Sequence, residues 1–372
     1  MRIAFVYDRI NKFGGAERIL LTLHEIWPNA PIYTGIYDAK KASWSKIFEI
    51  KPSFLKYFPF IKTKHEIFPT LTPYAFEVMV FDSYDVVLTI TSSDAKGIIT
   101  KPQTLHICYC LTPTRYLWSG YRDYLEQPGL GIINPLARHL MRSLFTKLRY
   151  WDNIASLRPD YYFSISKNVA RRIKKYYHHN SIVIYPPVEE KVFKYNRKSH
   201  SKDYYLVVSR LVPYKKIDYV INAFNKIGLR LIIIGKGIDE NRLSKEAKPN
   251  IEFIKRDLTD RELCCYYQGC RALIFPGEED FGLTAVEVQA CGRPVIAYKS
   301  GGICETVVSG ETGEFYERQD VDSLLDALSK FNKKHYSSFK CTQNARRFSK
   351  SQFINNMRKS VNKIWIKYKK NI

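Results

Sequence analysis

Arg271-Ala-Leu-Ile-Phe-Pro-Gly-Glu-Glu-Asp-Phe-Gly-Leu-Thr-Ala-Val-Glu-Val-Gln-Ala290 is the stretch on which the reading of this chain turns. Its apolar opening, residues 271–275, reads as a buried strand, and the residues from about Gly282 read as the start of a helix. Phe281 and Gly282 lie in the turn between them. A strand, a glycine turn and a helix N-terminus present backbone N–H groups and the positive end of the helix dipole. Such a place suits an anion or a ring of hydroxyls. Two carboxylates flank the turn, Glu279 on the loop and Glu287 inside the helix, eight residues apart. Glutamates also gather at helix starts simply because they complement the dipole, so the spacing takes its weight from what surrounds it.

Outward from that stretch, alternation of strand and helix continues in both directions. Residues 205–209, 229–235, 251–254, 272–276 and 294–298 read as strands, with helices at 217–227, 239–247, 260–269 and 283–291 between them. The first half repeats the pattern: strands at 2–7, 30–34, 84–90, 104–110 and 161–164, and a helix at 15–26. This alternation predicts doubly wound parallel sheets, whose ligands bind at the carboxyl ends of strands. Tyr185-Pro-Pro-Val188 and the Lys-rich stretch after it interrupt the pattern and mark a domain boundary. The expected domains are 1–187, 188–355, and a closing amphipathic helix, 356–372, that packs on one of them. In the tail Phe353, Met357, Val361, Ile364 and Trp365 recur at helical spacing.

A length of 372 residues fits two domains, and a 45% hydrophobic share fits real cores. The net charge of +23 points to an anionic partner: nucleic acid, an anionic bilayer or a phosphorylated substrate. No helix-turn-helix, RNP-like strand or zinc-finger pattern accompanies it, which disfavours nucleic acid. Met1-Arg-Ile-Ala-Phe-Val-Tyr7 runs directly into a strand, without the pattern of a signal peptide. No apolar run reaches the ~18–20 residues of a membrane span. The expected location is the cytoplasm, with peripheral attachment to the inner face of the cell membrane. Eight cysteines show no C-x-x-C pair and no ligand spacing, so reduced core thiols are expected and a metal is not.

Two loops have the chemistry for phosphate. Phe13-Gly-Gly-Ala-Glu-Arg18 opens the first helix, and Gly14 and Gly15 allow a close backbone approach. It is not the dinucleotide pattern G-x-G-x-x-G. Ser209-Arg-Leu-Val-Pro-Tyr-Lys-Lys216 follows the first strand of the second half. Arg210 offers a bidentate fork and Lys215 a point charge, a pair suited to a diphosphate.

These residues together resemble glycosyltransferase family 4, the retaining transferases of GT-B architecture. The matching elements are Gly14-Gly15, Ser92-Ser-Asp-Ala-Lys-Gly97, Thr112-Pro-Thr-Arg-Tyr-Leu-Trp118, Ser164-Ile-Ser166 and Tyr185-Pro-Pro-Val188. They continue with Ser209 to Lys215, Phe275-Pro-Gly-Glu-Glu-Asp-Phe-Gly282 through Glu287, and Ser300-Gly-Gly302 to Gly313. The wording looks most like bacterial mannosyltransferases of O-antigen assembly. The resemblance implies an α/β fold of two Rossmann-like domains facing a cleft. It implies a sugar-nucleotide donor, best matched by GDP-mannose, and a lipid-linked or glycan acceptor in surface polysaccharide or lipopolysaccharide synthesis.

By the same resemblance, Arg210 and Lys215 neutralise the leaving diphosphate, and Glu279 sits by the donor sugar with backbone N–H groups of Phe281, Gly282 and Leu283. Glu287 takes the ribose hydroxyls and Gly15 lies under the diphosphate. No cofactor or metal is implied, since Asp320-Val-Asp322 reads as a helix N-cap. The chain departs from the pattern at Leu111, where many relatives carry histidine, leaving Lys96 or Arg115 to contribute there. It departs again at Lys255-Arg256-Asp257, where a glycine is usual, and this leaves the donor base open. A hydrolase or epimerase of sugar nucleotides with the same fold is the alternative reaction.

Two segments read as candidates for an anionic bilayer. Residues 54–62 interleave aromatics with lysines. Leu136 to Trp151 carries leucines at 136, 140, 144 and 148 between basic residues. For the second, an ordinary core helix reads equally well.

Overall fold

The computed structural model describes residues 1–58, 61, 69–122, 134–198 and 202–371, with the backbone alone at 134–141. The chain divides into two compact units, one of residues 1–185 with 354–372, the other of residues 186–353.

The first unit holds a seven-stranded parallel sheet in the order β3-β2-β1-β4-β5-β6-β7. Its strands are β1 (Ile3–Ile10), β2 (Ile32–Tyr37), β3 (Ile50–Pro52), β4 (Val86–Thr91), β5 (Leu105–Cys110), β6 (Tyr161–Ser164) and β7 (Ser181–Val183). Every residue of β4 and β5 is buried, because helices cover both faces of a parallel sheet and leave no solvent side. The helices are α1 (Gly15–Ile26), α2 (Leu71–Glu77), α3 (Asn134–Ala155) and α4 (Lys167–Tyr177). Ser166 starts α4 by accepting from the Val169 amide at 3.0 Å.

The second unit repeats the plan with six parallel strands in the order β10-β9-β8-β11-β12-β13. They are β8 (Tyr205–Val208), β9 (Leu231–Ile234), β10 (Ile251–Ile254), β11 (Leu273–Phe275), β12 (Val295–Tyr298) and β13 (Gly313–Tyr316). Between and after them come α5 (Ile217–Ile227), α6 (Glu240–Glu246), α7 (Asp260–Gly269), α8 (Leu283–Ala290), α9 (Ile303–Thr306), α10 (Val321–Asn332) and α11 (Ser338–Ala345). Thr259 and Glu262 form a capping box on α7. Asp320 caps α10 by accepting from the Ser323 amide at 2.7 Å, the role its place in the sequence predicts. In each unit the order reverses once, between β1 and β4 and between β8 and β11, and in such sheets the reversal opens a crevice at the carboxyl ends.

The closing helix, α12 (Lys350–Lys369), buries Phe353, Met357, Val361 and Ile364 on one face. From Ile354 onward it belongs to the first unit, where the Tyr368 hydroxyl donates to the Pro102 carbonyl at 2.7 Å.

Candidate functional site

At the reversal point of the second sheet, the loop after β8 and the loop after β11 carry the side chains singled out above. Val212 ends the extended chain, Pro213–Lys215 makes one tight turn, and Lys216 takes a left-handed conformation (φ 56°) that starts α5. The turn aims Lys215 across to the neighbouring loop, where its Nζ donates to Glu279 Oε1 at 2.5 Å. The lysine side chain is 9% exposed and the glutamate 33%. Arg210 and Lys215 both meet Tyr214: the guanidinium donates to its hydroxyl at 2.5 Å, and the Lys215 ammonium lies 5.4 Å from the ring centre. Tyr214 is a member of the site that the spacing of charges did not disclose.

Glu279 is fixed by backbone as well. Its carbonyl accepts from the Gly302 amide at 2.7 Å, and it forms a parallel bridge with Gly301. Gly301 has φ 79°, and a Cβ there would come within 2.4 Å of the Glu279 carbonyl oxygen, so only glycine permits this approach. Glu278, one residue before, accepts from the Ser300 hydroxyl at 2.8 Å. The Ser300-Gly-Gly302 loop therefore clamps the acidic loop from the side of β12.

Gly282, at φ 86°, caps α8 and turns the chain from loop into helix. The amides of Phe281, Gly282 and Leu283 stand at this N-terminus, the positive end of the helix dipole. Phe281 is buried and packs edge-on against Phe348, with centroids 5.5 Å apart. Glu287 follows inside α8, 4% exposed, and its Oε2 accepts from the Tyr267 hydroxyl of α7 at 2.9 Å. The structure thus brings Lys215 and Glu279 into contact, groups Arg210 with Lys215 through Tyr214, and sets Glu287 back against α7. A groove of about 1100 Å³ lies at the other end of α8 beside Ala290, Phe339 and Arg346, and is lined by none of these side chains.

The remaining candidates belong to the first unit. Gly14 caps α1 in an extended conformation (φ −174°) open to any residue, and Gly15 is the exposed first residue of that helix. Glu17 in the same turn is buried and accepts from the Tyr7 hydroxyl at 2.6 Å. Lys96 does not face a ligand. It is 1% exposed, and its ammonium donates to Asp152 Oδ1 at 2.5 Å, to the Ser93 carbonyl at 2.6 Å and to Thr114 at 3.2 Å. Asp152 also accepts from Thr114, the Trp118 indole and the Tyr177 hydroxyl. Burial pushes the ammonium toward losing its proton, but Asp152 more than offsets this and its net shift is upward. Lys96 is therefore an internal ion pair joining the loops that begin at Ser92 and Thr112. Arg115 is half-buried on the second of these loops.

In the described part of α3 the apolar side chains turn inward: Phe145 and Leu148 are buried against Leu117, with Leu144 packed on them. The side chains of Leu136 and Leu140 lie outside the described residues, as do 59, 60 and 62 of the aromatic segment. Among the described residues, no helix is long and apolar enough to cross a membrane.

Residues 188–348 match the family model described as glycosyl transferases group 1. The second unit is of that type. An uncharacterized glycosyltransferase of Methanocaldococcus jannaschii is 29% identical over 209 residues, covering 55% of this chain and 58% of its own. A GDP-mannose-dependent monoacylated alpha-(1-6)-phosphatidylinositol monomannoside mannosyltransferase of Corynebacterium glutamicum is 34% identical over 136 residues, 32% of this chain and 35% of that one. The chain thus spans from a third to somewhat over half of the length of these curated relatives. Among solved structures, Anabaena HepE in complex with UDP superposes with a TM-score of 0.69 at 13% identity, over 98% of this chain and 100% of that one. At that identity the likeness is one of fold, and the fold is GT-B, two Rossmann-like units.

Proposed function

We propose that this chain is a retaining hexosyltransferase that takes its sugar from a nucleoside diphosphate, with GDP-mannose the favoured donor. The observation that carries this reading is the Lys215–Glu279 pair at the reversal of the second sheet, beside the N-terminus of α8. A departing diphosphate gains negative charge as the glycosidic bond breaks. Groups fixed beforehand where that charge develops lower the barrier most, about 10²–10³ in rate for one such donor. Lys215 and Arg210 supply positive charge there, and the α8 amides supply oriented dipoles, so no metal is invoked. Glu279, one-third exposed, accepts from sugar hydroxyls, and Glu287 accepts from the ribose. Attack on the face from which the diphosphate leaves retains the anomeric configuration.

The named specificity of the corynebacterial relative supports mannose as donor sugar, and a lipid-linked glycan as acceptor fits the same class. Attachment to an anionic membrane surface is supported by an exposed patch in the first unit. Tyr57, Phe58 and Tyr74 are 77%, 39% and 55% exposed there, and the Lys56 ammonium lies 4.9 Å from the Tyr57 ring centre. The deciding experiment is a thermal-shift screen against GDP-, UDP-, ADP- and dTDP-sugars, followed by product analysis with the donor that raises the midpoint. The expected outcome is a rise with GDP-mannose and sugar transfer to acceptor. No shift with any of the four removes the reading, and release of free sugar irrespective of acceptor replaces transfer by hydrolysis.

A further inference from the structure

Tyr267 has no part in the chemistry above, yet it is bound to one of its proposed groups. The residue sits on α7, fully buried, its ring packed against Phe193 with centroids 5.7 Å apart. A phenol in that position needs an acceptor, because an unmet buried hydroxyl is costly. It finds Glu287 Oε2 at 2.9 Å, across from α7 to α8. Glu287 is itself 4% exposed, and a carboxylate so placed keeps one orientation only if donors hold it there.

We infer that Tyr267 is a positioning residue for the donor site: it fixes the plane of the Glu287 carboxylate so that the carboxylate receives the vicinal hydroxyls of the donor's ribose. The inference rests on the role proposed for Glu287 and adds a residue that touches no substrate. Its ring packs in the interior while its hydroxyl orients the acid, so the two contributions separate by substitution. Tyr267→Phe keeps the ring and deletes only the hydroxyl. The carboxylate then loses a fixed donor and must be reoriented by the ligand at the moment of binding.

The test is calorimetric titration of the full chain with GDP and UDP and with their 2′,3′-dideoxy forms, which lack the ribose hydroxyls. For Tyr267→Phe the dissociation constant of the better-binding diphosphate is expected to rise about tenfold, the order of one hydrogen bond to a charged group. That of its dideoxy form is expected to stay within about twofold, since a group acting only through Glu287 leaves nothing to lose once the hydroxyls are gone. Equal losses for both ligands would mean general loosening of the site and overturn the inference. So would unchanged affinity for the natural diphosphate. If Tyr267→Phe does not fold, Tyr267→Met, whose flexible side chain fills the same space, is read against the same ligands. Failure of the unsubstituted protein to bind any of them would remove the donor-site reading itself, a result distinct from either outcome for the variants.

Discussion

Replacing Lys215 by alanine does two things at once, and the second is worth separating from the first. The ammonium and the Glu279 carboxylate approach to 2.5 Å, a gross attraction of about 7 kcal/mol at an effective permittivity of ~20. Most of this offsets the desolvation of a lysine that is 9% exposed. The one-third exposure of Glu279 screens more, leaving a net pairing of about 2 kcal/mol. Without Lys215, an incoming diphosphate loses a cation and also meets a carboxylate whose charge is no longer balanced. The two effects together amount to about 3–4 kcal/mol, a weakening of roughly 10²–10³ in affinity for GDP or UDP. The double variant Lys215→Ala, Glu279→Gln removes the repulsion and should recover about tenfold of that loss. Free nucleotides are the right ligands, because they lack the sugar that Glu279 is proposed to bind. Calorimetry at low and high salt reads both numbers, and the difference between single and double variants should shrink as salt rises. Single-variant affinity equal to that of the native protein, or a double variant weaker than the single one, would refute the electrostatic account.

Three further outcomes follow from the same structure. Asp152→Asn leaves the Lys96 ammonium, 2% exposed, without its counter-ion, and urea denaturation should register a loss of about 3–5 kcal/mol. Burial and then the nearby Asp8 push the Asp94 carboxyl up from 3.8 to about 6. The folded state therefore holds this proton more tightly than the unfolded one, and stability falls as pH rises from about 4 to 6. Asp94→Asn escapes that fall, so its stability relative to the native protein should improve by about 3 kcal/mol between pH 4 and 7 in paired denaturation curves. Of eight cysteines, Cys265 and Cys304 alone are exposed. A thiol reagent should react rapidly with two groups in the native protein and with six more on unfolding. Cys264, whose thiol is lowered to about 6 chiefly by its contact with Cys291, should stay among the slow six because it is buried.

What the sequence disclosed was local, and what it withheld depended on partners far along the chain. The strand at 251–254, the helices at 217–227 and 260–269, and the turn at Gly282 were legible because period, caps and turn residues act over a few positions. Strands β3 and β7 have no fully buried residue and offered no core run to read, and β13 opens on Gly313 and carries Glu314, which mask it as loop. Glu279 and Lys215 stood out as separate candidates in the sequence but not as partners, since 64 residues separate them. Lys96 looked like an available cation because Asp152, 56 residues on, cannot be recognised as its partner from spacing. Tyr267 gave no signal at all: within α7 it reads as one more apolar position. The leucines of α3 fitted a bilayer or a core equally well, and packing on Leu117 decides for the core at the described positions.

The return of residues 354–372 to the first unit has a consequence for biogenesis. Translation delivers the sheet of that unit first and its last helix after the whole of residues 186–353 has emerged. Until then, the surface awaiting Met357 and Val361 stays uncovered on the nascent chain, while the intervening unit, continuous in sequence, can complete itself. An expressed fragment ending at residue 185 would carry that bare apolar seat permanently, so anyone dissecting the chain should graft the final helix back by a linker.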